Sequence, residues 1–426
     1  MYRTSLLFFS FLLGWFIVPA QLPDTAIREA EAARIMGVLA SDSLKGRGNL
    51  QPAQWKAAAF ISEEFRKYRL RPLPGQHGYF IPFQPFGGPW LVTDSLHWNG
   101  RPVHGDYFLY LPAGPGAYAP KTMADFAVVR VDSFPADLLQ QGWPSGTNLL
   151  LWTPKRAEER QNQFPEFRGR STALSQNILL VYADEAPAAL RLEAQPDYSR
   201  LAWNIVGVLP GRSRATEVVL FSAHYDHMGV VKDRGRDSIM NGANDNASGT
   251  TGLLLLADYF ARRGDNERTL IFCAFAGEEL GMTGSAKLVD YLSTDRIMAG
   301  INLEMIGVPQ YGKKKVFITG EKYSSLPGML RKGLTKAGIR VMTEPDENKQ
   351  LFLRSDNYPF VKQEVPVHTI MASDDDDPCY HRPCDEVKRI DIANLTAIAR
   401  AVAAAAAGLI SGHDTPGRVR TADLPY

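Results

Sequence analysis

Apolar positions along the chain fall into two regimes. Over residues 24–39 and 51–67, Ala, Ile, Leu, Met, Phe and Trp recur at helical spacing among charged residues, which predicts two helices joined by a loop at 41–48. From about residue 80 to residue 200 that rhythm is lost. Gly and Pro become frequent, and short apolar runs at 107–111, 126–131, 148–152 and 177–182 read as strands of a separate, mostly β lobe. Beyond 204 strands and helices alternate. Strands are predicted at 204–209, 218–223, 269–276, 300–307, 316–319 and 365–371, and helices at 245–263, 283–292, 325–337 and 390–410. Alternation of this kind implies a largely parallel sheet covered on both faces. The expected fold is α/β: a three-layer α/β/α unit with a largely parallel mixed sheet, plus a smaller mostly β inserted lobe.

The two ends of the chain read differently from its middle. Arg3, the apolar run at 6–18 and the small residue closing Val18-Pro19-Ala20 have the form of a secretory signal peptide cleaved after Ala20, with an uncleaved anchor as the alternative. The Ala-rich run at 399–410 contains Arg400 and reads as a packed helix rather than a span. The tail after Gly412 is polar, with Pro and Gly, and is expected to be disordered. The expected organisation is a signal peptide at 1–20, N-terminal helices at 21–80, the β lobe at 81–200, a catalytic domain at 201–412 and a tail at 413–426.

Composition narrows the function. The 426 residues carry 47 Lys and Arg against 46 Asp and Glu, evenly spread, so there is no basic face for nucleic acid. Nothing beyond export points to a membrane, and oligomeric state is not legible. Export to a secreted or periplasmic location implies an oxidising compartment. Of the three cysteines, Cys379 and Cys384 flank a short turn and are spaced to pair, while Cys273 sits in an apolar strand as a core thiol. Gly46-Arg47-Gly48 reads as a plain turn, and the charged run at 155–160 as a solvated surface.

The chemistry gathers where the predicted strands end, the side of an open α/β sheet on which ligands bind. His224 ends one strand, and Asp226 follows two residues later. Asp245 opens the next helix. Glu278 and Glu279 follow the strand at 269–276, Glu304 lies in the next strand, and His381 comes one loop after the strand at 365–371. Adjacent glutamates point different ways, so one can ligate a metal while the other holds a proton. Hydrolysis by metal-activated water needs that pairing of Lewis acid and free base. His227 receives no role and is read as a loop histidine. The acidic run at 374–377 is read as a solvated loop, with a calcium site as the alternative.

These residues resemble a known family. His224-Tyr225-Asp226, the Asn-Asp-Asn-Ala-Ser-Gly block at 244–249, the Glu-Glu-Leu-Gly-Met-Thr-Gly-Ser block at 278–285, the Asn-Leu-Glu-Met-Ile-Gly block at 302–307 and Tyr380-His381 are similar, in this order, to the blocks of the M28 zinc aminopeptidases. The stretch at 39–48 resembles that family's opening segment. The β lobe stands where many members carry a protease-associated domain. The resemblance implies an aminopeptidase acting on peptides with two zinc ions, roughly 3.5–4 Å apart as in other co-catalytic sites. It implies His224 and Glu304 on one ion, Glu279 and His381 on the other, Asp245 bridging, Glu278 as general base and Asp226 orienting His224. Tyr380 and Tyr358 are candidate oxyanion donors. Many members have Asp at the position of Glu304 and His at that of Asn357. Manganese and cobalt also suit these ligands. The alternatives within the same fold are a single-zinc glutaminyl cyclase and a carboxypeptidase, and a non-catalytic ectodomain is a third.

Overall fold

The computed structural model describes residues 26–85, 92–104, 107–111, 121–134, 147–154, 176–196, 201–231 and 237–424. The expected signal peptide at 1–20 and the charged run at 155–160 lie outside these residues.

Eight strands form the central sheet: β1 (Phe80–Phe83), β2 (Ala202–Leu209), β3 (Arg214–His224), β4 (Arg268–Phe275), β5 (Ile297–Glu304), β6 (Lys315–Ile318), β7 (Arg340–Met342) and β8 (Val367–Met371). Their spatial order is β1-β2-β4-β3-β5-β8-β6-β7. The middle of the sheet is parallel, with β3 between β4 and β5, and β8 beside β5. Antiparallel pairings join β1 to β2, β2 to β4 and β6 to β8, so the sheet is mixed. The strand at β7 has no counterpart in the apolar pattern. It spans three residues, too short for a periodicity to register.

Two-residue alternation divides the strands between two cores. In β4, Leu270, Phe272 and Ala274 face one core, whereas Ile271, Cys273 and Phe275 face the other. The first core is covered by α1 (Glu29–Leu39), α2 (Pro52–Lys67), α3 (Gly249–Arg263), α5 (Leu326–Lys336) and α7 (Ile392–Ala405). The second takes Leu288 from α4 (Thr283–Val289) and Phe360 from α6 (Tyr358–Val361). The result is three layers. The stretch Ile392–Ser411, which includes α7 and α8 (Ala407–Ser411), is long and apolar enough to cross a membrane, yet more than half of its most apolar part is buried inside the molecule.

The β lobe leaves the sheet after β1 and returns at β2, two neighbouring antiparallel strands. The boundary expected at residue 81 therefore falls inside β1. Its described part holds a three-stranded sheet (Arg101–Val103, Val92–Trp98, Leu190–Pro196) and a four-stranded sheet (Phe108–Leu111, Ile178–Tyr182, Leu149–Thr153, Ala127–Arg130).

The tail departs from expectation. It is ordered as far as Leu424. The buried Arg268 guanidinium donates to the Asp414 carbonyl at 2.7 Å and to Thr415 Oγ1 at 2.5 Å, and the Val419 amide donates to the Glu364 carbonyl at 2.9 Å. Val419 and Leu424 pack with Phe352 and Val361. A polar composition hid a segment held by side chains far away in the sequence.

Candidate metal centre

The parallel strands bring their carboxyl ends to one edge, and the acidic and imidazole side chains converge there. His224 and Glu304 are the last residues of β3 and β5. Glu278 and Glu279 follow β4 after Gly277. Asp245 lies in a widened turn, Ala243–Ser248, that leads into α3, rather than in α3 itself. Gly242 precedes this turn at φ 56, where a Cβ would meet the Asp245 carbonyl at 2.2 Å and the His227 ring at 2.5 Å, so only glycine fits. His381 sits at φ 53 in the loop after β8, between the disulfide-bonded Cys379 and Cys384.

The two oxygens of Asp245 face different partners. Oδ1 lies 3.4 Å from His224 Nε2, which is also 2.8 Å from Glu304 Oε1. Oδ2 lies 3.1 Å from His381 Nε2, which is 3.2 Å from Glu279 Oε2. Two donor sets thus share one carboxylate. Glu278 stands beside the first set, its Oε2 4.0 Å from His224 Nε2. All five ligands implied by the resemblance, and Glu278 with them, meet at one place.

The surroundings hold these groups in position. Asp226 is fully buried; its carbonyl, 3.2 Å from His224 Nδ1, accepts from that nitrogen, and its carboxylate Oδ1 lies 3.6 Å away. Its carboxylate accepts from the amides of Glu278 and Glu279 at 3.3 and 3.2 Å, and from Asn49 Nδ2 at 2.6 Å. Asn49 Oδ1 accepts from the Gly277 amide at 3.1 Å. Glu304 Oε2 accepts from the Ser355 hydroxyl at 2.9 Å, which fixes the longer acidic side chain at this position. Arg47 is fully buried behind the site and donates to the carbonyls of Leu39, Tyr225, Asn241 and Gly242 at 2.6–2.8 Å. The Gly-Arg-Gly turn is thus a clamp, which a reading of local turn residues had no means to find.

Electrostatics follow from this crowding. Burial, with Glu304 and Glu279 nearby, raises the Glu278 carboxyl well above the ordinary range despite the opposing His224. Burial and Asp245 also push Glu279 up, but the hydrogen bond with His227 and the His381 imidazole close by prevail and bring it down to about 2. Burial opposes the charge on His381, but Asp245 and Glu279 outweigh it and raise the imidazole to about 10. A buried anionic cluster facing imidazole nitrogens fits a cation better than a proton network. His381 Nε2 meets two carboxylates yet has no well-formed hydrogen bond among the described residues. The donor set is nitrogen and oxygen, suited to zinc and related divalent ions.

Three expectations need correction. His227 lies in the loop after β3, as expected, but it does not stand outside the site. It is buried, with Nδ1 2.6 Å from Glu279 Oε1. Tyr358 packs with Phe352, Val361 and Val419 away from the cluster, and Asn357 is spent on the Phe352 carbonyl and Thr369, whereas Tyr380 does line the cavity over the first donor set. In the acidic run, the Lys349 ammonium reaches Asp374, Asp375 and Asp376 at 3.3, 2.7 and 2.7 Å, which places a cation where calcium was the alternative.

Comparison with known proteins agrees with the geometry. The model of peptidase family M28 matches residues 204–406, a span that includes every donor above. An aminopeptidase of Bacillus subtilis, YwaD, is 25% identical over 245 residues, 55% of this chain and 50% of its own length. The chain spans about half the length, or less, of the curated relatives it matches first. Among solved structures, BSAP, a zinc aminopeptidase from Bacillus subtilis, superposes with a TM-score of 0.53 at 18% identity, covering 94% of this chain and 97% of its own. A glutaminyl cyclase from Bacteroides thetaiotaomicron superposes at 0.50 with 12% identity, covering 91% and 99%, so the fold is shared by two reaction classes. The β lobe lies outside the family match. Residues 204–406, which carry both donor sets around one carboxylate, match the model of peptidase family M28.

Proposed function

We propose that the protein is an exported di-zinc aminopeptidase that removes N-terminal residues from peptides. The observation that carries the reading is the division of Asp245, one oxygen toward His224 and Glu304 and the other toward Glu279 and His381. Bound zinc would supply Lewis acidity, polarising the scissile carbonyl and making water a competent nucleophile near neutral pH. Glu278 is positioned to take the water's proton and return it to the leaving amine. Asp226 holds His224 in the tautomer that presents Nε2 to the cluster. Tyr380 lines the cavity and has a hydroxyl to donate to the developing oxyanion. Met305, Leu351 and Met371 supply an apolar wall, which favours an apolar N-terminal side chain. The zinc named in the relatives, the leader-like sequence pattern at 1–20 and the Cys379–Cys384 disulfide support the metal and the export.

A carboxypeptidase needs a free cation for the substrate carboxylate. Among the described residues, the cation lining this cavity is Arg354, and it is paired with Asp375 at 3.0 Å. A glutaminyl cyclase would carry one tightly held zinc, so metal counting separates it from the peptidase. The direct test is Glu278→Ala, assayed on a panel of aminoacyl-anilides and N-blocked peptides. We expect retained fold and metal content with kcat lower by about 10²–10⁴-fold. Near-normal hydrolysis by this variant would refute the mechanism, and cleavage of N-blocked peptides would refute the aminopeptidase specificity.

A further inference from the structure

His227 belongs to the cluster without a role in the five-ligand scheme. Its imidazole is 1% exposed. Nδ1 faces Glu279 Oε1 at 2.6 Å and Asp245 Oδ2 at 3.8 Å, and its ring lies 5.4 Å from that of His381. Nε2 points away, buried, with no hydrogen-bond partner among the described residues. Donors on a tetrahedral ion, each about 2.0–2.1 Å from it, stand about 3.3 Å apart. His381 Nε2 already lies 3.1 Å from Asp245 Oδ2 and 3.2 Å from Glu279 Oε2. The two His227 distances bracket the same spacing. One donor atom from each of His227, Asp245, Glu279 and His381 lies within 4.8 Å of every other, so the four can close around a single ion.

The other set differs in two ways. It has three protein donors, from His224, Asp245 and Glu304. It also borders the cavity beside Glu278, which His224, Asp245, Glu278 and Glu304 help to line; in the four-donor set His381 is 31% exposed and the other three side chains are 8% exposed or less. Metal sites closed by four protein donors hold their ion structurally, whereas three donors leave a position for substrate or water.

We propose, resting on the two-metal reading above, that His227 is a sixth protein donor and that the centre is asymmetric. One ion is held by four side chains, His227, Glu279, His381 and Asp245. The other is held by His224, Glu304 and Asp245 and keeps a position open to the cavity beside Glu278. The four-donor ion anchors the centre, and the three-donor ion exchanges and faces substrate.

The test uses the full-length zinc-loaded protein labelled with ¹⁵N-histidine. The spectrum counts imidazoles that carry a metal-bound nitrogen, among the eight histidines of the chain. Three are expected, one of them bound through Nδ1 with its Nε2 protonated, and His227→Gln should remove that one signal. Two metal-bound imidazoles in the wild type would overturn the proposal and leave His227 as a hydrogen-bond donor to Glu279. Chelator competition gives an independent readout: the wild type should lose one ion readily and keep the other, and His227→Gln should weaken the retained ion by about 100-fold or more, beyond the range typical of outer contacts. Equal release of both ions in the wild type would overturn the asymmetry. Saturation at one zinc per chain would instead sink the two-metal reading itself, a result the stoichiometry reports separately.

Discussion

Arg47 offers the sharpest test of how the N-terminal segment supports the site. Its guanidinium is fully buried and donates to four backbone carbonyls, Tyr225 at 2.7 Å, Leu39 at 2.7 Å, Asn241 at 2.6 Å and Gly242 at 2.8 Å. Burial lowers its pKa to about 10 against the pull of Asp245 and Asp385, yet it stays charged at neutral pH. Arg47→Leu strips the partner from all four carbonyls. At the low end of the cost of a buried unsatisfied group, about 1 kcal/mol each, the loss is about 4 kcal/mol. That is a large share of the roughly 5–15 kcal/mol that holds a domain together. Arg47→Lys keeps the charge but offers one ammonium with three donors, which cannot span a fork-shaped set of four acceptors, so it should recover about half. Urea unfolding of the metal-free protein, followed by far-UV circular dichroism, measures both. A Leu variant within about 1 kcal/mol of the wild type, or a Lys variant equal to it, would refute the clamp.

Three further outcomes follow from the same coordinates. Asn49→Ala removes the 2.6 Å hydrogen bond to Asp226 and the acceptor for the Gly277 amide, so kcat should fall about 10–100-fold while the fold survives; an unchanged kcat would show that Asp226 needs no such partner. His368 is buried neutral: its Nδ1–H donates to the Thr319 carbonyl, Nε2 accepts from Ser324, and burial lowers its pKa to about 4. The unfolded chain then takes a proton near pH 6.5 that the folded chain refuses until about pH 4, so stability falls with acid by up to about 3 kcal/mol, and His368→Gln should show a shallower decline over that window. Cys379→Ser opens the loop that carries His381, and zinc affinity measured by chelator competition should drop about 10-fold or more, whereas an unaltered affinity would mean that the loop holds its shape without the disulfide.

The fold was legible where periodicity is strong and local. The unbroken apolar run of β4, buried on both faces, and the helical spacing in α2 are consequences of side chains facing a core, and each can be read within a dozen residues. The lobe boundary and β7 were not, because a four-residue or three-residue strand is defined by its neighbours in the sheet. The tail escaped for a related reason. Its composition is that of a loop, and what orders it is Arg268 in β4.

The site divides along the same line. From the sequence, His224, Asp245, Glu278, Glu279, Glu304 and His381 stood out as candidates, because metal chemistry restricts residue types and parallel strands deliver their ends to one edge; the choice between the two glutamates came from the family resemblance. The sequence also determined that Cys379 and Cys384 could meet, since so short a separation leaves little else to chance. Only tertiary structure decided that His227 turns inward, for its backbone lies beside Arg47 and Gly48, residues nearly two hundred positions earlier, and no spacing rule spans that distance. The same holds for Asn49 on Asp226 and for Lys349 among the aspartates. Each is a polar group whose direction is set by what else is buried around it, and burial is a property of the folded chain rather than of any stretch of it.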